Sequence, residues 1–435
     1  MAQSIGRCHV RAWLLVLSVA AGTADLANAQ ATGFALFDGQ CVADCPPPRI
    51  VEVDLDRGTV MAVIPLPCRG LDLDITADGR YLTWLETCSQ GYPYAVSRWL
   101  MDRSTGQRVS LGSGAIVGMR SHPSEVRFLF FEGAALISLT SAGRTSVPTP
   151  GCAAESLNLS LDGARLLQFC RGSGEFPVRT TATGAAVQNF SGALSVHVGG
   201  MTFDERGESL YWANNAGRDG VLTLVRYDVS TGLEAARHTV ATGRVLSQAP
   251  LVERRSGRVF YRVDNVLTAV HPVTLQPLGA VSLSGVEPVT IAFHPSRALA
   301  YVLSRPARGS ANEVLDIVDT GALRLVASIA LQTPPDGLAS FIVAPHPPAP
   351  AAPSVTVANH RVTVTWGPGP KSPAITQYDL EVAGAAGGPA LLAIKVAGLA
   401  FVADNVPPGM FYLRVRARNY AGVSAASGEV ALRVP

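Results

Sequence analysis

The chain has 435 residues, of which 48% are hydrophobic and 16% charged, and its formal net charge is +2. This composition excludes an intrinsically disordered chain, and the length predicts one large domain or two. The near-neutral charge gives no electrostatic basis for binding nucleic acid or an acidic membrane surface.

Residues 1–29 have the pattern of a secretory signal peptide. Arg7 and Arg11 precede a short apolar run that begins at Trp13, and Ala27-Asn28-Ala29 supplies a small-residue cleavage site. The run is too short for a stable membrane anchor, although an uncleaved anchor stays open as an alternative. We therefore expect a mature chain that begins at residue 30, is secreted or periplasmic, and has no membrane span.

Two kinds of turn alternate along the rest of the chain. The first follows the pattern D-x-x-x-G, as at residues 54–58, 102–106 and 228–232, with weaker copies between them. Its glycines are spaced by 48, 37, 41 and 48 residues and are Gly58, Gly106, Gly143, Gly184 and Gly232. The second kind precedes an aromatic-rich run, and its copies begin at Ala77, His122, Leu161, Asp204, Ser256 and His294. Both kinds contain Gly, Asp or Pro, which are residues that favour turns.

The segments between the turns have the composition of β-strands. Residues 80–85, 126–131, 210–212 and 300–303 are rich in aromatic and β-branched side chains. A repeat of about 40–48 residues with four strands in each unit is typical of β-propeller blades. The sequence therefore predicts an all-β fold built on a β-propeller.

The number of blades follows from the first strand of each repeat, which lies nearest the central channel of a propeller. Seven segments qualify, beginning near Leu71, Ala115, Ser156, His197, Ala249, Val289 and Ala339. The last, residues 339–344, has no further strands after it, whereas residues 34–37, 50–54 and 59–64 form three strands without a first one. One blade built from both segments would close the ring and leave no open sheet edge. We therefore predict a seven-bladed β-propeller over residues 30–346, with residues 34–37 paired to residues 339–344.

The repeats resemble the YVTN-type propeller repeats of surface-layer proteins over roughly residues 31–346. Residues 314–327, with the sequence VLDIVDTGALRLVA, are an example of the resemblance. The resemblance implies the propeller fold and says little about a ligand.

The pattern changes after a proline-rich linker at residues 347–353. Residues 355–357, 362–366, 378–382 and 411–417 alternate as the strands of a β-sandwich do. Residues 354–435 resemble a fibronectin type III domain in Trp366, Pro368, Tyr378, the turn at residues 407–409, the strand at residues 411–417, Asn419, Gly422 and Ser424. The alternation places Leu413 and Val415 inward, and Arg414 and Arg416 outward. We interpret this domain as a rigid spacer or a weak surface-contact module.

Six cysteines remain once the signal peptide has removed Cys8, namely Cys41, Cys45, Cys68, Cys88, Cys152 and Cys170. An even number in an exported chain favours disulfide bonds, although the sequence alone permits fifteen pairings. Cys68 and Cys152 each precede a first strand, and Cys88 and Cys170 each end the second strand that pairs with it, so antiparallel pairing brings them together. We predict the bonds Cys68–Cys88, Cys152–Cys170 and, by remainder, Cys41–Cys45, with free buried thiols as the alternative.

The sequence contains no metalloprotease, nucleophile-elbow, P-loop or dinucleotide-binding motif. We therefore predict no catalytic residue, no metal ligand and no cofactor. His122 and His294 precede prolines at equivalent turns, which we interpret as a turn function rather than metal binding.

Several connections between second and third strands are long, and in a propeller they share one face of the ring. This long-loop face is formed by residues 38–49, 87–94, 171–175, 214–220 and 305–312. Long loops on a rigid scaffold are where binding usually occurs. Six side chains there are candidates for stacking on, or pairing with, a polar ligand: Tyr92, Tyr94, Arg171, Arg218, Arg305 and Arg308. The alternative is that they are solvated loop residues.

Two functions follow from these observations. The first is an exported non-catalytic binding or scaffold protein whose long-loop face contacts an extracellular or periplasmic protein or polysaccharide. The second is a propeller-based lyase or hydrolase with its site at the channel mouth, which rests on the fold alone.

Overall fold

The computed structural model describes residues 31–37, 47–55, 59–88, 96–113, 118–150, 154–170, 175–191, 198–216, 221–242, 249–285, 287–295, 297–305, 313–331, 338–369 and 374–435. Every helix or strand in these ranges is a β-strand. In the same ranges we find no helix that could cross a membrane. The predicted signal peptide and cleavage site lie outside the described residues.

The residues described before residue 345 form seven four-stranded antiparallel sheets, which we number I to VII. Sheet I contains β1 (Thr32–Phe37), β2 (Arg49–Asp54) and β3 (Thr59–Pro65). Sheet II contains β4 (Arg69–Ile75), β5 (Tyr81–Thr87), β6 (Val96–Asp102) and β7 (Gln107–Ser113). Sheet III contains β8 (Arg120–Ser121), β9 (Phe128–Glu132), β10 (Ala135–Thr140) and β11 (Gly143–Pro148).

Sheets IV to VII follow in chain order. Sheet IV contains β12 (Ala154–Leu159), β13 (Arg165–Cys170), β14 (Glu175–Thr180) and β15 (Ala186–Ser191), and sheet V contains β16 (Val198–Phe203), β17 (Ser209–Ala216), β18 (Val221–Asp228) and β19 (Glu234–Thr242). Sheet VI contains β20 (Leu251–Val252), β21 (Val259–Val263), β22 (Val266–Val270) and β23 (Pro277–Ser282). Sheet VII contains β24 (Glu287–Phe293), β25 (Leu299–Arg305), β26 (Glu313–Asp319) and β27 (Arg324–Leu331). The fourth strand of sheet I is β28 (Leu338–Val343).

Sheet I joins the two ends of the repeat region, as predicted. Its strand order is β28-β1-β2-β3, and β1 pairs antiparallel with β28 so that Gly33 lies opposite Val343. Strand β1 also pairs with β2 over its whole length. The first strand of the region therefore lies inside a sheet, and its backbone groups are paired on both sides.

The seven sheets follow one another around a ring. The innermost strands of sheets VII, I, II, III, IV, V and VI contact one another in that order, and they are β24, β28, β4, β8, β12, β16 and β20. Sheets VI and VII pack through a buried cluster that includes Phe260, Val281 and Val302. A second cluster between sheets I and II contains Phe34 and Trp84, both fully buried. Four-stranded sheets packed face to face around an axis form a β-propeller.

The second kind of sequence turn connects the first and second strands of the sheets. In sheet II the hydroxyl of Thr76 donates to Asp78 at 2.7 Å, the Arg80 amide donates to the same carboxylate at 3.0 Å, and Gly79 has a φ of 74°. In the equivalent turns of sheets III and VII a histidine takes this place. The Nδ1 atom of His122 accepts a hydrogen bond from the Glu125 amide at 3.1 Å, and that of His294 accepts one from the Arg297 amide at 3.0 Å. These histidines thus cap turns.

The remaining described residues form a three-stranded and a five-stranded sheet. The first contains β29 (Ser354–Ala358), β30 (Arg361–Thr365) and β33 (Ala400–Ala403), and the second contains β31 (Gln377–Ala383), β32 (Leu392–Val396), β34 (Gly409–Asn419), β35 (Gly422–Val423) and β36 (Val430–Val434). Trp366 and Tyr378 pack edge to face at 5.8 Å in their shared core.

Strand β34 alternates as predicted, with one difference. Leu413 and Val415 are buried, but Arg416, predicted to point outward, is also buried and pairs with Glu381 at 2.8 Å. Arg414 reaches the same carboxylate at 2.6 Å. The outer face of the strand is covered because the following segment crosses it, and Arg416 donates to the Ser424 carbonyl at 3.2 Å.

Residues 419–422, which we call the docking turn, join the C-terminal sheets to the propeller. The side-chain amide of Asn419 donates to the Pro345 carbonyl at 2.7 Å, and the Tyr420 amide donates to the Asp78 carbonyl at 2.8 Å. Arg103 donates to the Tyr420 carbonyl at 3.1 Å. The turn therefore contacts sheets I and II on the face of the ring that carries the short turns between first and second strands, opposite the long-loop face.

Ala421 is the apolar centre of this contact. It is 3% exposed and belongs to the buried cluster between sheets I and II. Its carbonyl accepts a hydrogen bond from the Thr32 hydroxyl at 3.2 Å. A spacer attached only through a linker would make no such contacts, so the C-terminal domain is fixed to the ring.

Candidate functional site

Most of the predicted binding side chains lie outside the described residues. This applies to Tyr92, Tyr94, Arg171, Arg218 and Arg308. Arg305 ends β25, where its backbone lies opposite Glu287. The long-loop site stays a prediction.

The predicted disulfide Cys68–Cys88 is confirmed. Its Cα atoms are 5.0 Å apart, and it joins the residue before β4 to the residue after β5. Cys170, at the end of β13, is also disulfide-bonded. Its predicted partner Cys152, and the predicted pair Cys41 and Cys45, lie outside the described residues.

A cavity of about 460 Å³ opens in the channel of the ring, on the side of the short turns. Sheets VII, I, II and III surround it with their innermost strands, β24, β28, β4 and β8, and the turn of sheet VI adds Arg254. Its volume lies in the range of small-molecule sites. We take this channel cavity as the candidate site on the described residues.

Strand β4 supplies the first charged group of the cavity through an irregularity. Asp72 has a φ of 47°, and the register of β4 against β5 shifts at this point. A carboxylate side chain in the left-handed region inside a strand is uncommon and marks functional or strained positions. The bulge directs Asp72 towards the neighbouring sheet.

Two arginines hold the Asp72 carboxylate. Arg98, whose side chain is fully buried, donates at 2.8 Å, and Arg120 donates at 3.2 Å. Burial alone would raise the pKa of Asp72, but the charges of Arg120 and Arg98 outweigh it and the pKa lies below its ordinary value. Asp72 is therefore an ionised partner of both guanidinium groups.

The second carboxylate, Asp74, is held by different donors. It accepts hydrogen bonds from the Ser121 amide and hydroxyl, both at 2.7 Å, and from the Ile75 amide at 2.8 Å. Burial raises its pKa, and the Arg120 charge and the Ser121 bonds oppose that shift only in part. Asn158 occupies the equivalent place in sheet IV and reaches the Met201 carbonyl of sheet V at 2.5 Å. The bridge between neighbouring first strands is thus a repeated feature.

Arg254 reaches across the channel from sheet VI. Its guanidinium donates to the Pro123 carbonyl of sheet III at 3.4 Å. Burial lowers its pKa, and the charges of Glu205 and Asp162 offset this shift only in part. Arg254 therefore brings a positive charge to the opening of the cavity.

The opposite wall of the cavity is largely apolar. Ile291 and Phe293 of β24 and Ile342 of β28 line it, and all three are half-buried although they lie near the axis of the ring. Their exposed parts therefore face the cavity. Among the described residues, no group of three or more His, Cys, Asp or Glu side chains is arranged to hold a metal ion.

Reasoning from the sequence missed this site. The available signal was the run Leu71-Asp72-Leu73-Asp74, which places two carboxylates in a strand predicted to lie nearest the axis. Charged residues in such a strand indicate a polar channel wall. Arg120 and Arg254 gave no signal, because Arg120 lies in a strand of only two residues and Arg254 lies in the turn between β20 and β21.

Known proteins match this chain in structure. No family model and no curated protein matches it in sequence. A functionally unknown protein from Desulfotomaculum acetoxidans aligns over 72% of this chain and 98% of its own, with 12% identity and a TM-score of 0.50. The Cps50 (Swd1) β-propeller domain of Myceliophteria thermophila aligns over 62% and 90%, with 16% identity and a TM-score of 0.46.

A putative 6-phosphogluconolactonase from Bacteroides uniformis covers 72% of this chain and 99% of its own, with 13% identity and a TM-score of 0.46. At such identities a structural likeness carries no information on a reaction. The likeness shows the fold alone.

Proposed function

We propose that this protein is an exported, non-catalytic binding or scaffold protein whose long-loop face contacts an extracellular or periplasmic protein or polysaccharide. In this proposal residues 1–29 are the signal peptide and residues 30–346 are a seven-bladed propeller of the YVTN type. Residues 347–353 form the linker, and residues 354–435 form a fibronectin type III-like domain. Seven four-stranded sheets and the paired strands β1 and β28 support the blade number.

The observation that carries the proposal is the disulfide between Cys68 and Cys88. It ties the start of β4 to the end of β5, just before the segment that contains Tyr92 and Tyr94 in the sequence. Cys170 is disulfide-bonded at the corresponding end of β13. Bonds at the base of surface loops reduce the ordering cost of binding, because fewer conformations are lost on contact. They also fit an oxidising compartment.

The test is co-sedimentation of the purified mature protein with insoluble peptidoglycan, cellulose and chitin, and surface-plasmon measurements on immobilised alginate. We expect saturable binding to at least one of these polymers, lost when Tyr92, Tyr94 and Arg171 are replaced by Ala. Arg144→Ala and Arg324→Ala, on exposed side chains elsewhere, serve as the matched control. Loss of binding in the control alone, or retention in the triple variant, would reject the long-loop face.

A lyase or hydrolase in the channel is the second candidate. Asp74 favours it, because a carboxyl group with a raised pKa inside a cavity is suited to act as a general acid. The test is turnover of p-nitrophenyl acetate and p-nitrophenyl glycosides by the wild type and by Asp74→Asn. Turnover that falls at least about a hundredfold in the variant would support this function, and equal rates would exclude Asp74 from it.

A further inference from the structure

The channel cavity combines two walls of opposite character. Sheets II and III contribute Asp72, Asp74 and Arg120, and sheets VII and I contribute Ile291, Phe293 and Ile342. A ligand that satisfies both walls needs a charged head and an apolar body. This requirement is independent of the long-loop face and of any reaction.

The sign of the head follows from the hydrogen bonds already made inside the cavity. Each carboxylate accepts donors from the protein: Asp72 from Arg98 and Arg120, and Asp74 from Ser121 and Ile75. A bound cation would have to compete with these donors. The carboxylates are therefore occupied.

Arg120 is differently placed. Its Nη1 donates to Asp72 and to the Met119 carbonyl, while its Nε and Nη2 donate to no atom of the described chain. Its side chain is 39% exposed, although the residue lies deep in the ring. Because the exposed part faces the cavity, the free edge of the guanidinium is presented there. Arg254 adds a second positive charge at the opening.

We propose that the channel cavity binds a small organic acid, with its carboxylate on the free edge of Arg120 and its apolar body against Ile291, Phe293 and Ile342. A guanidinium pairs with a carboxylate through two parallel hydrogen bonds when one edge is free. Partial removal of Arg120 from water strengthens that pair. The bulge at Asp72 acts as the positioning element, because its carboxylate fixes Arg120 through Nη1.

Isothermal titration of the mature full-length protein with benzoate, benzamide and benzylamine tests the proposal. We expect saturable binding of benzoate, and binding of the neutral benzamide and the cationic benzylamine at least tenfold weaker, because each lacks the charge that Arg120 recognises. Equal affinity for the three probes, preference for benzylamine, or no saturation by benzoate up to about 10 mM would overturn it.

Variants locate the site. Arg120→Gln should weaken benzoate binding at least tenfold, Arg120→Lys should restore part of it, and Arg144→Gln, on an exposed arginine outside the channel, should leave it unchanged. Far-UV circular dichroism and thermal melting confirm that each variant is folded. If Arg120→Gln is unstable, Ile291→Asp, which places a like charge beside the apolar body, should abolish binding in its place. Benzoate binding unchanged in a folded Arg120→Gln or Ile291→Asp variant would overturn the proposal.

Discussion

Gly79 lies where two separate constraints exclude a side chain. Its φ of 74° is in the left-handed region, and a Cβ on it would lie 2.7 Å from the Ala421 amide nitrogen. The first constraint comes from the turn that Asp78 shapes, and the second comes from the docking turn of the other domain. Gly79 is therefore required both by the propeller turn and by the contact between the domains.

Gly79→Ala is expected to destabilise the protein more than the same change in an equivalent turn. Gly257 also has a φ of 74°, but nothing lies within 4 Å of the position that a Cβ would take there. A left-handed alanine costs about 1–2 kcal/mol at either place, and overpacking at Gly79 adds about 1–3 kcal/mol. Urea denaturation measures both. Equal losses in the two variants would show that the docking turn moves aside at no cost.

His346 and His294 give the fold a dependence on acid. Burial lowers the pKa of His294 to about 3 and that of His346 to about 4, and the Arg297 charge contributes to both shifts. The ordinary pKa of histidine is 6.5, so below that pH the unfolded chain binds more protons at these two residues than the folded chain does. Stability from these groups is complete above about pH 6.5 and is lost as the pH falls towards 4.

The free energy of unfolding is therefore expected to fall between pH 6.5 and pH 4, and His346→Gln should reduce this slope. Urea titrations at several pH values measure it. His360→Gln, at an exposed histidine, is the control and should keep the wild-type slope. A wild-type slope in His346→Gln would show that carboxylates alone set the acid response.

At the scale of the elements, strand β34 shows how a predicted outer face becomes an inner one. Glu381 accepts from Arg414 and Arg416, and the three side chains are 15%, 21% and 10% exposed. They form one charged cluster beneath the segment that includes Ser424. Ion pairs of this kind matter mainly because removing one partner leaves the others without compensation.

Glu381→Gln should therefore lower the free energy of unfolding by about 2 kcal/mol, because both arginines lose the negative charge of their partner and one of its two acceptor oxygens is replaced by an NH2 group. Asp404→Asn removes the negative charge that faces Arg361 in an exposed pair whose side chains are 63% and 60% exposed, and should cost less than about 0.5 kcal/mol. Chemical denaturation of both variants checks the difference. Comparable losses would mean that the Glu381 cluster is as solvated as the surface pair.

The sequence predicted most strands, the closure of sheet I and the Cys68–Cys88 bond, because turn residues and alternation are local signals. It placed the first strand of sheet III near Ala115, whereas β8 begins at Arg120. It also missed the channel cavity, since Asp72 and Arg120 meet only when two sheets pack. Contacts between sheets, such as that of Ala421, leave no periodic trace in the chain.

On the scale of the whole molecule, the C-terminal domain packs against the ring and stabilises it. Its docking turn satisfies the Pro345 carbonyl, contacts the turn at Asp78 and supplies Ala421 to the core between sheets I and II. Sheet I is the one that joins distant parts of the chain. Among the described sheets of the ring, sheet I alone is built from both ends of the repeat region, and the domain is attached beside it.

Removal of residues 354–435 is expected to lower the melting temperature of the remaining propeller, because buried Ala421 and the hydrogen bonds of Asn419 and Tyr420 are lost. The removed segment has its own core around Trp366, and we expect it to fold when expressed alone. Differential scanning calorimetry of both pieces and of the intact chain measures this. A propeller that melts at the same temperature without the domain would show that the docking turn adds no stability.

The pairing of β1 with β28 also sets the order in which the protein can be completed. Strand β1 is synthesised early, but it pairs with β28, where Gly33 lies opposite Val343. Strands β2 and β3 therefore leave the ribosome long before β28, the innermost strand of their sheet, has been made. Strand β3 is the outermost strand of the sheet and carries Val60, Met61 and Val63, which stay exposed even in the finished molecule. Contacts between distant segments form late, and an incomplete sheet attracts other chains in the meantime. The interval before β28 is made is therefore the stage at which we expect this protein to be most prone to association with other chains.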